Sequence, residues 1–186
     1  ITLADSMKKS LSKITGAKLL STRNALSLFT ARYGQLPIPK RIRNRASSGE
    51  MHLAEASSAY NRKEHQSAYK KCVLAEKQIL QADNETTTLL TEYYKGLPKW
   101  RAWASTAISN SKRKRNASII VDKMAHCCKL YVGGVLKATY SAELGSNWLG
   151  DKRVKGDKAT PEGQYHITMK KGPKQSKYYK ALLINY

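Results

Sequence analysis

Four histidines, three cysteines and 13 carboxylates are the residues of this chain that could ligate a metal, move a proton or attack a carbonyl. His52 and His65 stand in segments of helical period, with no Cys or acid at a spacing that completes a metal site. The one His/Cys cluster is His126-Cys127-Cys128. A thiolate nucleophile needs a base within reach and oxyanion donors beside it. On a strand Cys127 would point away from His126, while Cys128 would share its face. The ordinary reading of both is a small buried thiol beside a hairpin. Adjacent cysteines rarely pair, and with Cys72 the three make neither a disulfide framework nor a zinc set. There is no Walker loop and no Gly-x-Gly-x-x-Gly, so neither a metal nor a cofactor is expected.

Asp151, Asp157 and Glu162 lie close together, and paired carboxylates can do acid–base work if their separation is fixed. They fall in and beside the most informative stretch, Gly156-Asp157-Lys158-Ala159-Thr160-Pro161-Glu162-Gly163-Gln164-Tyr165. Pro161 pushes Thr160 to an extended conformation. Thr160-Pro161-Glu162-Gly163 fits a type I turn, with Pro second and Gly fourth. The turn would feed a strand over residues 164–170, with Tyr165, Ile167 and Met169 on one face.

The elements that must position this stretch are legible from periodicity. Residues 3–33 read as helix, with Gly16 a candidate break, and Leu36-Pro37-Ile38-Pro39 ends it. Lys40, Arg41, Arg43 and Arg45 read as a basic connector. Residues 46–95 read as two helices about a turn at Asn61-Arg62-Lys63. Leu53, Ala56, Ala59 and Tyr60 share one face; Ala68, Cys72, Ala75, Ile79 and Ala82 share the other. After Gly96-Leu97-Pro98 a helix over 99–111 carries Trp100 and Trp103, expected in a core. At Ala117 the period becomes strand-like. Residues 118–122, 129–132 and 135–140 read as strands, the last two joined by the two-residue turn Gly133-Gly134. Residues 180–186 start another strand, and the chain ends inside it, which reads as a truncated domain. The expected fold class is α+β: a basic helical region over 1–116, then an incomplete, mostly antiparallel β domain over 117–186.

Charge bounds the partners. Lys and Arg number 34 against 13 Asp and Glu, net +21. Divided at Asn116, the front carries +14 and the remainder +7. Such a field favours polyanions: an anionic wall polymer, an anionic membrane surface or nucleic acid. No apolar run reaches the length of a membrane span. No signal peptide is visible, and the chain begins at Ile1 rather than Met. No recognition helix, zinc finger or aromatic sheet signature supports nucleic acid, which is disfavoured.

With its neighbours, the Gly156–Tyr165 stretch resembles the L,D-transpeptidase catalytic domain of the YkuD type. The shared order runs through Ile119-Ile120-Val121-Asp122-Lys123, the hairpin Leu130-Tyr131-Val132-Gly133-Gly134-Val135-Leu136, Tyr140-Ser141-Ala142-Glu143-Leu144-Gly145, and Gly-Asp-x-x-Thr-Pro-x-Gly-x-aromatic at 156–165. The resemblance covers residues 119–186. It implies cysteine acyl transfer on peptidoglycan stem peptides, cell-wall crosslinking and a bacterial envelope location. The family's nucleophile lies in a Ser/Thr-His-Gly-x-x-x-x-Cys motif after the Thr-Pro-x-Gly strand, and this sequence contains no His-Gly pair. No catalytic residue carries over, and the chain as given is expected to be inactive. Gly156, Asp157, Thr160, Pro161, Glu162, Gly163 and Tyr165 are expected to support the fold beside the cleft. The alternatives are a noncatalytic wall-binding or scaffold protein and, behind it, a basic nucleic-acid-binding protein.

Overall fold

The structure, a computed structural model, describes residues 3–186 and is α+β. The chain divides into two compact units, 1–94 and 95–186. The division lies 22 residues before the change of period at 117, because the fourth helix belongs with the strands.

The first unit is three helices, α1 (Leu3–Tyr33), α2 (Lys40–Asn61) and α3 (His65–Tyr94). α1 and α3 run parallel, with Lys18 paired to Glu76, Arg32 3.9 Å from Asp83, and the Tyr33 hydroxyl 3.1 Å from that of Thr87. Short loops place α2 antiparallel to both. Gly16 does not break α1. A Cβ there would stand 3.0 Å from the Tyr60 hydroxyl, so the glycine gives room for the Tyr60 ring.

The expected basic connector is instead the first turns of α2. Pro39 precedes it, and its carbonyl accepts from the Ile42 and Arg43 amides at 2.9 and 3.1 Å. Ile42 is buried between exposed Arg41 and Arg43. Arg41 and Arg45 flank Glu85 of α3 at 2.5 and 3.2 Å.

The core follows the two faces read from the sequence. Leu19, Leu53, Ala56, Cys72 and Ala75 form one cluster; Phe29, Ile38, Ile42, Ile79 and Ala82 form the next. Leu20 and Leu28 are exposed, so the apolar residues of α1 are split between core and surface. Alanines at 56, 59, 68, 75 and 82 let α2 and α3 approach closely. A Cβ on Gly49 would meet Ile79 Cγ1 at 2.7 Å and the Ala75 carbonyl oxygen at 3.2 Å. Gly49→Ala is therefore expected to lower the thermal midpoint of the helical unit. Overpacking costs about 1–3 kcal/mol, more than the roughly 1 kcal/mol that Ala gains over Gly in a helix.

The second unit opens with α4 (Leu97–Lys114), closed by Arg115 in the left-handed region at φ 51°. β1 (Ala117–Asp122), β2 (Cys127–Val132) and β3 (Val135–Ser141) form an antiparallel sheet in that order. Gly133 and Gly134 both have positive φ, 58° and 79°, as the two-residue turn requires. The buried Ser111 hydroxyl fastens this turn to α4. It donates to the Asn116 carbonyl at 2.5 Å and accepts from the Gly134 amide at 3.2 Å. Ser118 Oγ donates to the Ala107 carbonyl at 3.1 Å, tying β1 to the same helix. Trp100 and Trp103 are only half-buried, against the expectation of a core, and Lys99 Nζ lies 4.6 Å over the Trp103 ring.

β4 (Ile167–Lys171) and β5 (Ala181–Ile184) make a separate two-stranded ribbon. Its register shifts between Ile167 and Met169. Ile167 pairs with Ile184 and Met169 with Leu183. Cross-strand partners share a face and successive β5 residues alternate, so Ile167 and Met169 face opposite sides. The unbroken alternation expected from Tyr165 to Met169 is corrected accordingly.

Candidate functional site

The residues singled out at 156–165 come together in one loop platform, held by polar contacts rather than by a β ladder. Asp157 is its hub. One carboxylate oxygen accepts from Lys152 Nζ (2.8 Å) and the Ala159 amide (3.0 Å); the other accepts from the Arg153 and Val154 amides (2.7 and 3.0 Å). The Lys152 hydrogen bond first, then the backbone amides, hold the Asp157 carboxyl well below the usual carboxylate range. Gly156, at φ 90°, and Lys158, at φ 57°, supply the left-handed turns that fold the backbone around it.

Thr160 Oγ1 accepts from the Gly145 amide at 3.1 Å, and the Asn147 amide donates to the Lys158 carbonyl at 3.0 Å. A Cβ on Gly145 would fall 2.1 Å from that same carbonyl oxygen, so no other residue fits without moving the loop.

The Thr160–Gly163 bend is open rather than the expected hydrogen-bonded type I turn. The Thr160 carbonyl accepts from Lys123 Nζ at 2.9 Å instead. Lys123, from the turn after β1, also donates to the Gly150 carbonyl (2.6 Å) and to Glu162 Oε1 (2.7 Å). Its side chain is 9% exposed and that of Glu162 13%. The Glu162 amide donates to Asp151 Oδ1 at 2.7 Å. One ammonium thus ties its own turn to two other segments of chain. Tyr165 lies outside the strand: its ring folds back over Gly163, its hydroxyl donates to the Glu162 carbonyl at 3.2 Å, and it meets Tyr186 edge-on at 5.8 Å. Burial first, then the Asp151 charge, pushes its hydroxyl pKa up.

Lys123, Lys152, Asp151 and Gly145 carry the platform, and none was assigned this task from sequence. Lys123 is 37 residues from Thr160 and 39 from Glu162. Local patterning carries no signal at that range. Lys152 and Asp157, five apart in a glycine-rich stretch, were the pair within local reach.

Asp157 is saturated by four donors and Glu162 is bound by Lys123. His126 sits in the β1–β2 turn at φ 47°, not on a strand, and meets Trp148 edge-on at 5.2 Å. Cys127 and Cys128 are half-buried free thiols. Burial raises the Cys128 thiol pKa, the reverse of what an attacking thiolate needs. Among the described residues, no three His, Cys, Asp or Glu side chains converge as a metal site, and no helix is long and apolar enough to cross a membrane.

The chain matches no protein-family model, no curated protein and no solved structure.

Because Asp157 is depressed in the folded state, its stabilisation is present above the ordinary Asp range near pH 4 and is lost only as pH falls through the lower folded value. The Arg153, Val154 and Ala159 amides are therefore expected to keep their hydrogen-exchange protection down through pH 4. Asp157→Asn, with one acceptor oxygen in place of two and no charge, is expected to cut that protection on the order of tenfold at neutral pH. Exchange measured by NMR checks both.

Proposed function

We propose that residues 119–186 are a peptidoglycan-recognising β unit of the L,D-transpeptidase type, and that this chain does not itself carry the acyl-transfer step. The observation that supports the reading is the Lys123 clamp. The Asp122-Lys123 and Thr160-Pro161-Glu162-Gly163 segments, far apart in sequence and both part of the resemblance, are joined by one nearly buried ammonium. The partners are stem peptides and anionic wall polymer at the bacterial envelope. In the reaction of the family, a cysteine thiolate attacks the carbonyl of the third stem residue, forms a thioester and expels the terminal D-amino acid. An amine of a second stem then takes the acyl group and frees the thiolate.

The absence of any His-Gly pair, the raised Cys128 thiol and the fully engaged Asp157 carboxylate favour a binding role for these residues. Incubation with tetrapeptide muropeptides is expected to release no terminal D-amino acid, while isolated peptidoglycan retains the chain. Release that disappears in Cys128→Ala would overturn the assignment of the thiols. Sequence-selective binding to duplex DNA, with no retention on peptidoglycan, would overturn the reading altogether.

A further inference from the structure

The charge lies where the sequence division did not put it. With the boundary at Lys95, the second unit holds 19 Lys and Arg against five Asp and Glu, net +14, and the helical unit only +7. Within the second unit the asymmetry sharpens toward the ribbon: residues 164–186 contain five lysines and no Asp or Glu. Lys170 and Lys171 end β4; Lys174, Lys177 and Lys180 lie in the connection to β5.

That connection also carries the two most exposed tyrosines, Tyr178 at 78% and Tyr179 at 65%. Each has an ammonium over its ring: Lys177 Nζ is 5.8 Å from the Tyr178 centroid and Lys180 Nζ 5.1 Å from that of Tyr179. The ribbon itself exposes aliphatic side chains on both faces, Ile167, Leu182 and Ile184 on one and Met169 and Leu183 on the other, with Leu182 nearest the connection and Ile167 and Ile184 at the far end. A solvated loop has no use for this combination, and a nucleic acid would be served by the lysines and rings but not by the aliphatics. A surface with phosphate charge outside and hydrocarbon just beneath uses all three.

We propose that the β4–β5 ribbon and its connection dock on an anionic lipid bilayer. The ribbon lies along the surface: the lysines pair with headgroup phosphates, Tyr178 and Tyr179 lie at headgroup level, and the face that carries Ile167, Leu182 and Ile184 settles against the acyl boundary. The inference is independent of the wall-enzyme reading: it rests on charge, exposure and side-chain type in 164–186 alone.

The test is sedimentation of the full chain with vesicles of phosphatidylcholine, with and without phosphatidylglycerol, at physiological salt. The chain is expected to sediment with the anionic vesicles and stay free of the neutral ones. Tyr178→Ser with Tyr179→Ser, which leaves the charge intact, is expected to weaken binding about fivefold. Lys177→Gln with Lys180→Gln is expected to weaken it roughly thirtyfold. Lys9→Gln with Lys13→Gln on α1, which removes the same charge elsewhere, is expected to change it less than about twofold. Circular dichroism establishes that each variant is folded, and the lysine pair carries the test if the tyrosine pair is not. Equal loss from the α1 pair, or none from either ribbon pair, would overturn the proposal in favour of diffuse attraction. So would absence of vesicle binding, or duplex DNA binding of equal strength lost with the same tyrosines.

Discussion

Lys123→Met is expected to destabilise the second unit by about 1–3 kcal/mol, the cost of leaving nearly buried acceptors without their charged donor. The substitution removes the Lys123 contact to Glu162 Oε1 and leaves the Gly150 and Thr160 carbonyls without that donor. Among the described residues, Ser111 and Ala159 are the buried side chains of this unit, and its strands expose much of their apolar surface. Glu162→Gln should cost less than half as much, because an amide oxygen still accepts from Lys123 and both carbonyl contacts survive. Trp100, Trp103 and Trp148 all lie in this unit, so urea unfolding followed by tryptophan fluorescence reports on it selectively. An unchanged midpoint in Lys123→Met would show that the clamp is dispensable, and with it the argument that joins the two signature segments.

In the helical unit the largest effect is expected from Ile79→Ala. Ile79 is fully buried among Phe29, Ile38, Ile42 and Ala82, and Gly49 leaves the space it fills. Truncation opens a cavity lined partly by a residue with no side chain to move into it, so the cost should fall within about 2–5 kcal/mol. For a unit of this size that lowers the thermal midpoint by roughly 10 °C or more, measured by far-UV circular dichroism. The sign of the Gly49→Ala effect then reverses. On its own the added methyl meets Ile79 Cγ1, whereas beside Ile79→Ala it occupies the vacated space and recovers part of the loss. A double-mutant cycle that proved additive would refute this account of the α2–α3 contact.

The two experiments probe different kinds of legibility. The α2 and α3 faces could be read directly, since Ala56, Ala59, Ala68, Cys72, Ala75, Ile79 and Ala82 recur at three and four and are buried. The Gly133-Gly134 turn was equally legible, because two consecutive glycines between apolar runs suit the positive φ values that both adopt. Three readings failed for one shared reason. The basic connector at 40–45, the helix break at Gly16 and the type I turn at Thr160–Gly163 were each inferred from local residue preference. In each, a partner distant in sequence decided otherwise: Glu85 for Arg41 and Arg45, Tyr60 for Gly16, Lys123 for the Thr160 carbonyl. Trp100 and Trp103 failed differently. Their helical spacing was right, but they are only half-buried.

By itself, then, the sequence determined what depends on neighbours along the chain: the helices, the strands, the two-residue turn, the buried alanine faces and the shift from helical to extended period at 117. The tertiary structure decided what depends on residues tens of positions apart. It moved the unit boundary to 94/95 by packing α4 on the strands, and so moved most of the positive charge into the second unit. It also gathered Asp157, Glu162 and Lys123 into one platform. Periodicity reports a side chain's direction relative to its own element, whereas a salt bridge or a close glycine contact is fixed only when two elements meet.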